Sequence, residues 1–214
     1  NMNLGRQIKQ VVGRVFPGWL LFRGPHPSGK ILALSFDDGP HPEHSSGILD
    51  VLAKAGVRAT FFVVGEEAEK YPHLVRRMLD EGHQVANHTY IHYGLQNSRS
   101  TEYVADVERC QMLLEDICGQ KLARNFRPPY GSIPPIVFLR LVSQGYRMVL
   151  WSVDSDDSRL ENAADLVRSI SRKELTAGDV LLLHEDYAHT LEALPDILYL
   201  LRKQGFDFVT CSEL

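Results

Sequence analysis

From Lys30 to the C-terminus the sequence alternates short, near-continuous apolar runs with longer amphipathic stretches, and this rhythm constrains the fold more than any other feature. Strands are expected at Ile31–Phe36, Arg58–Val64, Gln84–Asn87, Asn125-Phe126, Arg147–Val153, Asp179–Leu183 and Phe206–Thr210. Helices are expected over Ile48–Ala55, Glu66–Glu81, Thr101–Ile117, Pro134–Gln144, Ala163–Arg172 and Leu191–Gln204. Strands apolar on both faces, each followed by a helix, indicate a parallel sheet covered by helices. No repeat, low-complexity segment or linker interrupts the pattern. It reads as one α/β domain, a barrel of βα units rather than an open doubly wound sheet. No GxGxxG or GxxxxGK[ST] occurs, so dinucleotide and P-loop chemistry lose their usual signature.

Composition narrows the function. At 214 residues, 44% hydrophobic and 23% charged, the chain suits a globular domain with a sizeable core. Its formal charge of −4 makes nucleic acid an unsuitable main partner. Cys110, Cys118 and Cys211 form no CxxC pair and no even set, and they read as reduced thiols in a cytoplasmic setting. Residues 1–36 hold Arg6, Lys9, Arg14, Arg23 and Lys30 and no acid, so the remainder carries the negative charge. Within this leader Leu4, Ile8, Val11, Val12 and Val15 share one helical face. Residues 1–29 are therefore expected to pack as a basic amphipathic leader on the barrel or on a membrane surface. Peripheral contact with an anionic inner leaflet would run through residues 4–22. The apolar stretch is broken by Gly13-Arg14 and does not read as a signal peptide.

Polar residues fall where the strands end. Ile31–Phe36 runs into Asp37-Asp38-Gly39-Pro40, Gln84–Asn87 into His88 with His92 beyond it, and Asn125-Phe126 into Arg127-Pro128-Pro129-Tyr130-Gly131. Arg147–Val153 runs into Asp154 and Asp157, and the four apolar residues Val180–Leu183 into His184. In parallel α/β folds the carboxyl ends of the strands form the functional face. Five strand ends thus bring carboxylates, imidazoles and a guanidinium together.

Each motif also has a plain structural explanation. Asp-Asp-Gly-Pro makes an ordinary turn, His-x-x-x-His arises by chance, Arg127 suits a proline-rich surface loop, and a single strand-end histidine suits a core. Their combination favours chemistry. Adjacent Asp37 and Asp38 point apart, so one can bind a metal while the other stands beside a water. His88 and His92, on one face of a helical turn, would share the cation. Zn²⁺ is the default, and Fe²⁺, Co²⁺ or Ni²⁺ would be accepted. An acid from the neighbouring strand end, Asp157 or Asp154, would tune His184 as a proton donor. His26, His41, His44, His73, His83 and His189 read as surface or turn residues, with His41 nearest the cleft.

Ser-Phe-Asp-Asp-Gly-Pro, Asn-His-Thr-Tyr-Ile-His, Arg-Pro-Pro-Tyr-Gly, Asp-Ser-Asp-Asp and Leu-Leu-Leu-His stand in the order found in the polysaccharide deacetylase (NodB-homology) family, carbohydrate esterase family 4. The resemblance spans about residues 30–210, and five ordered motifs make it specific. It implies a distorted (β/α)7 barrel, a NodB-homology domain over 30–214, and metal-dependent removal of acetyl groups from N-acetylglucosamine units of peptidoglycan, exopolysaccharide or chitin-like chains. Carried over by motif, Asp37 resembles the catalytic base, and Asp38, His88 and His92 the ligands of one divalent metal. Arg127 matches the residue that orients the base, and Tyr130 the position whose backbone N–H supports the oxyanion. His184 resembles the general acid with Asp157 as its charge partner, and Leu182 should line the acetyl pocket.

One position departs from the family pattern: the fourth motif usually ends Asp-Trp, and here Ser158 follows Asp157. Trp151 or Tyr187 could fill the space, the acyl group could differ, or activity could be low. Competing readings are an O-acetyl esterase, another C–N hydrolase such as a cyclic-amide opener, a non-catalytic carbohydrate-binding relative, and an Fe²⁺ oxygenase. Retention of every chemical group argues against a binding module, and the βα pattern against the oxygenase. Tyr90, Tyr93, Tyr130 and Tyr187 are candidates for stacking on sugar.

Overall fold

A computed structural model describes residues 18–24, 29–92 and 98–214. The first strand, β1 (Leu20–Leu21), falls in the segment expected to be leader; residues 1–17 of that leader lie outside the described residues. Strand β2 (Ile31–Asp37) is followed by helix α1 (Ser45–Ala55), β3 (Thr60–Val63), α2 (Gly65–Lys70) and α3 (Pro72–Asp80). Then come β4 (Gln84–Asn87), α4 (Ser100–Cys118), β5 (Asn125–Phe126), α5 (Pro135–Ser143) and β6 (Arg147–Val149). The chain closes with β7 (Val153–Asp154), α6 (Ala163–Ser171), β8 (Val180–His184), α7 (Ala188–Lys203) and β9 (Asp207–Val209).

Every ladder is parallel, in the order β1-β6-β5-β4-β3-β2-β8-β7, with β9 beside the start of β2. The sheet curls into the distorted (β/α)7 barrel of a single domain. Successive side chains of a strand point to opposite faces, and β2 uses the two faces differently. Leu32, Leu34 and Phe36 join the core shared with the helices, where Ile48, Leu49 and Leu52 of α1 meet them. Ala33 joins Phe62, Ala86, Val149 and Val180 on the concave side. By the same alternation Ser35 and Asp37 face inward, and β8 in register places Leu182 opposite Ser35 and His184 opposite Asp37. Burying each large apolar side chain contributes about 1.5–3 kcal/mol.

Two expected elements divide. The helix expected over Glu66–Glu81 breaks at Tyr71, because Pro72 has no N–H to continue α2 but suits the first position of α3. The strand expected over Arg147–Val153 splits into β6 and β7. Between them the Leu150 N–H donates to Leu21 and the Ser152 N–H to Val180, so the chain passes from one neighbour to another. The carbonyls of Val149 and Leu150 meanwhile accept from the Arg127 guanidinium. Among the described residues no helix is long and apolar enough to cross a membrane.

Candidate active site

Arg127 is fully buried inside the curl, over the Phe62 ring with its guanidinium 3.8 Å from the centroid. Small Ala33 and Ser35 leave room for it. Nε donates to the Val149 carbonyl (3.1 Å), Nη2 to that of Leu150 (3.2 Å), and Nη1 to Ser35 Oγ (2.9 Å) and Asp37 Oδ1 (2.5 Å). The guanidinium is thus oriented by three neutral acceptors, and it holds a buried carboxylate at the end of β2. Such a charge needs a partner of this kind to remain inside.

At Asp38 the backbone turns into the left-handed region, φ 69°, which carries its side chain away from that of Asp37. Its Oδ1 stands 3.3 Å from His88 Nε2 and 3.0 Å from His92 Nε2. One ligand atom from each of the three lies within 4.8 Å of the others. His88 Nδ1 is 2.8 Å from the Arg127 carbonyl, an acceptor only; the proton therefore sits on Nδ1 and Nε2 presents a lone pair. Asp38 Oδ1 is buried and meets no ordinary hydrogen-bond donor among the described residues. Two imidazole nitrogens and an orphaned carboxylate oxygen converging on one point fit a divalent cation. Burial works against ionisation of Asp38, but the two facing imidazoles of His88 and His92 outweigh it and hold the carboxyl far below its ordinary range.

The two histidines do not share a helical turn, as their spacing suggested. Thr89 (φ 71°) and His92 (φ 49°) are both left-handed, and a fixed loop brings the rings together, 5.0 Å apart. The Thr89 N–H donates to Asn87 Oδ1 (2.9 Å) and the Tyr90 N–H to Asp106 (2.7 Å). The Gly65 and Glu66 amides, at the start of α2, donate to the carbonyls of Thr89 and Tyr90. Tyr90 is consequently core rather than a sugar platform: Arg109 lies 3.4 Å above its ring and its hydroxyl donates to Glu69. Tyr93 lies outside the described residues.

Across the cleft His184 Nδ1 meets Asp157 Oδ1 at 2.8 Å, and the His184 N–H donates to Oδ2 at 2.7 Å. The geometry selects Asp157 over Asp154, whose Oδ1 closes a turn by accepting the Asp156 N–H. Burial opposes charge on His184, yet Asp157 prevails, with Asp37 and Asp38 adding to it, and raises the imidazolium to about 9. Burial likewise opposes charge on Asp157, and the His184 hydrogen bond holds that carboxyl below its usual value.

Leu182 lies buried on the inward face of β8, between Ser35 and Asp154 in register. Tyr130 is left-handed (φ 58°) and exposed, its ring 5.4 Å from that of His92. Trp151 packs on Gly131, with Arg127 5.6 Å from its ring. Ser158 is exposed and donates its N–H to Asp157, while Tyr187 stands edge-on to His184 with centroids 5.9 Å apart.

Other polar residues that the sequence left as surface or unremarked are built in. His83 is buried, and desolvation takes it down to about 4. His189 meets the Asp157 carbonyl (2.9 Å) and Thr190 donates to Asp157 Oδ2 (3.0 Å). Glu185, Ser35 and Asp106 carried no sequence signal beyond, for Ser35, its period-two spacing from Asp37.

A model of the polysaccharide deacetylase family matches residues 24–149. The chain belongs to this family. It is 37% identical to a peptidoglycan-N-acetylglucosamine deacetylase of Bacillus cereus over 203 residues, 92% of this chain and 93% of that one. A chitooligosaccharide deacetylase of a Bradyrhizobium species is 34% identical over 195 residues, 85% and 89% of the two chains. Among solved structures, the Bc1960 peptidoglycan N-acetylglucosamine deacetylase superposes with a TM-score of 0.87 at 33% identity, covering 94% of each chain. A polysaccharide deacetylase is a hydrolase, and the family depends on a divalent metal.

Proposed function

We propose that this polysaccharide deacetylase removes N-acetyl groups from N-acetylglucosamine-type units of peptidoglycan or a chitin-like oligomer. The observation that carries the reading is the placement of two opposed proton carriers around one cation site. Asp37 stands beside Asp38, His88 and His92, and His184 faces them from β8, in register with Asp37. The relatives named as deacetylases of peptidoglycan and of chitooligosaccharides support the substrate class.

Asp38, His88 and His92 would hold the divalent cation, Zn²⁺ in this reading, which when bound polarises the acetamide carbonyl and acidifies water. Asp37, aimed by Arg127, takes a proton from the attacking water. As the carbonyl oxygen gains charge, the backbone N–H of Tyr130 donates to it. His184 then delivers its proton to the amide nitrogen, so the C–N bond breaks and acetate and a free amine leave. Amines are poor leaving groups, and the strong Asp157 partner keeps this proton available in neutral solution. Leu182 lines the space for the methyl group. Tyr187, beside His184, supplies the aromatic surface that Ser158 lacks.

Acetate release from N-acetylglucosamine oligomers tests the reading, using metal-stripped protein with Zn²⁺ restored and Asp37→Asn as control. Metal-dependent release abolished by the substitution supports it. Cleavage of acetyl esters with no amide turnover would replace it with O-deacetylation. The charge asymmetry of the sequence further supports a proposed membrane-surface contact through residues 4–22. Equal, negligible co-sedimentation of full-length and leader-deleted protein with anionic vesicles would remove that proposal.

A further inference from the structure

Glu185 follows His184 at the end of β8 and is completely buried, yet no proton transfer above uses it. Its contacts all lead to the Asp37–His41 loop and the start of α1. Its backbone N–H donates to the Asp37 carbonyl (3.0 Å), and its carbonyl meets His44 Nδ1 (3.0 Å). Its Oε2 accepts from the Ser45 hydroxyl, whose oxygen in turn accepts the His41 N–H (2.7 Å). The rest of the carboxyl lies directly against Gly39: a Cβ added there would stand 1.8 Å from Oε1 and 2.2 Å from Cδ. Oε1 itself meets no hydrogen-bond donor among the described residues, so it is held by packing alone.

Asp38, the residue before Gly39, occupies the left-handed region that residues with a Cβ rarely adopt. Such a conformation persists only where the surroundings over-determine it. One constraint is the Val64 N–H, which donates to the Gly39 carbonyl (2.9 Å). Another is the Glu185 carboxyl, packed directly against Gly39. Desolvation raises that carboxyl to about 8, and as a neutral acid it can sit beside Asp37 and Asp38 without repelling them.

We propose that Glu185 is a positioning residue for the cation site: its carboxyl, wedged under Gly39 and tied to Ser45, fixes the turn that aims Asp38 at His88 and His92. The inference rests on the reading of those three residues as metal ligands and deepens it. It also accounts for glycine at position 39, since any side chain there would displace the wedge.

The test is Zn²⁺ affinity, measured by competition with a chromophoric chelator, alongside the melting temperature of the metal-stripped proteins. Glu185→Ala should bind Zn²⁺ about 10–100-fold more weakly, the range for groups that orient a ligand. Glu185→Gln keeps the shape and the acceptor for Ser45 and should stay within about 3-fold of the parent. Wild-type affinity in folded Glu185→Ala overturns the proposal, as does equal weakening by Ala and Gln, which would assign the effect to the acid rather than to its fit. If Glu185→Ala fails to fold, Ser45→Ala takes its place, with roughly 10-fold weakening expected and unchanged affinity overturning the idea. Because the readout is metal binding, failure of the acetate assay leaves this test intact. Failure of the wild type to bind Zn²⁺ would instead remove the metal reading beneath it.

Discussion

Arg127 and Asp37 form an ion pair withdrawn from water, Nη1 to Oδ1 2.5 Å, between residues 90 positions apart in the chain. β5 and β2 are not neighbours in the sheet; the curl brings their ends together. Each nitrogen of the guanidinium donates, to Ser35, Asp37, Val149 and Leu150 between them. Removing either partner strands a buried charge.

Arg127→Ala should therefore destabilise the fold by about 3–5 kcal/mol, as breaking buried pairs does. Urea denaturation of the metal-stripped protein measures it. A loss below about 1 kcal/mol would show that Asp37 finds another partner or hydrates readily.

Asp37→Asn should separate catalysis from metal binding. The amide preserves the shape but cannot take a proton, so turnover should fall by about 10²–10⁴-fold. Zn²⁺ affinity should persist, because Asp38 and not Asp37 faces both histidines. Retained activity would move the base elsewhere.

His184 should set the alkaline side of the pH profile. Raised from 6.5 to about 9, chiefly by the Asp157 hydrogen bond acting against burial, it remains a proton donor until the pH climbs through that higher value. Its contribution to stability has the same sense: complete below 6.5 and lost as pH rises through about 9. Asp157→Asn should move the alkaline limb of kcat/KM toward 6.5. An unmoved limb would exclude His184 as the titrating acid.

Zn²⁺ should stabilise the folded chain. At free Zn²⁺ 100-fold above the dissociation constant the gain is about 2.7 kcal/mol, or roughly 5–10 °C in melting temperature. His88→Ala and His92→Ala should each reduce the shift sharply in a calorimetric scan. A full shift in both variants would place the ion elsewhere.

Tyr187→Ala tests the aromatic surface beside His184. Losing a partly buried ring from a binding wall should weaken productive substrate binding by about 1–3 kcal/mol, roughly 5–150-fold in kcat/KM. An unchanged value would leave the space at Ser158 open to solvent or to a larger acyl group.

The legible features were those written in local periodicity. Apolar runs ending in Asp37, His88, Arg127 and His184 marked both the strands and the face they serve, and Pro128-Pro129 marked a stiff loop beside Arg127. Helix boundaries follow the amphipathic pattern closely, but that pattern runs through Tyr71, where Pro72 ends one helix and opens the next. Leu20–Leu21 looked like leader because two residues carry no period; pairing with β6 makes them a strand. Tyr90 was a plausible sugar platform by composition alone, and Gly65 and Arg109 enclose it.

By itself, then, the sequence determined the parallel βα order and which groups stand at the strand ends, since both follow from rules acting over a few residues. Tertiary structure decided the rest. It turned Asp38 away from Asp37, chose Asp157 over Asp154, bent Thr89 and His92 so that two rings meet without a helix, and buried Glu185 beneath Gly39. Each of these depends on an atom contributed from another strand or helix, and on the water excluded when they close. Neither the partner nor the dielectric it creates is encoded in a residue's immediate neighbours.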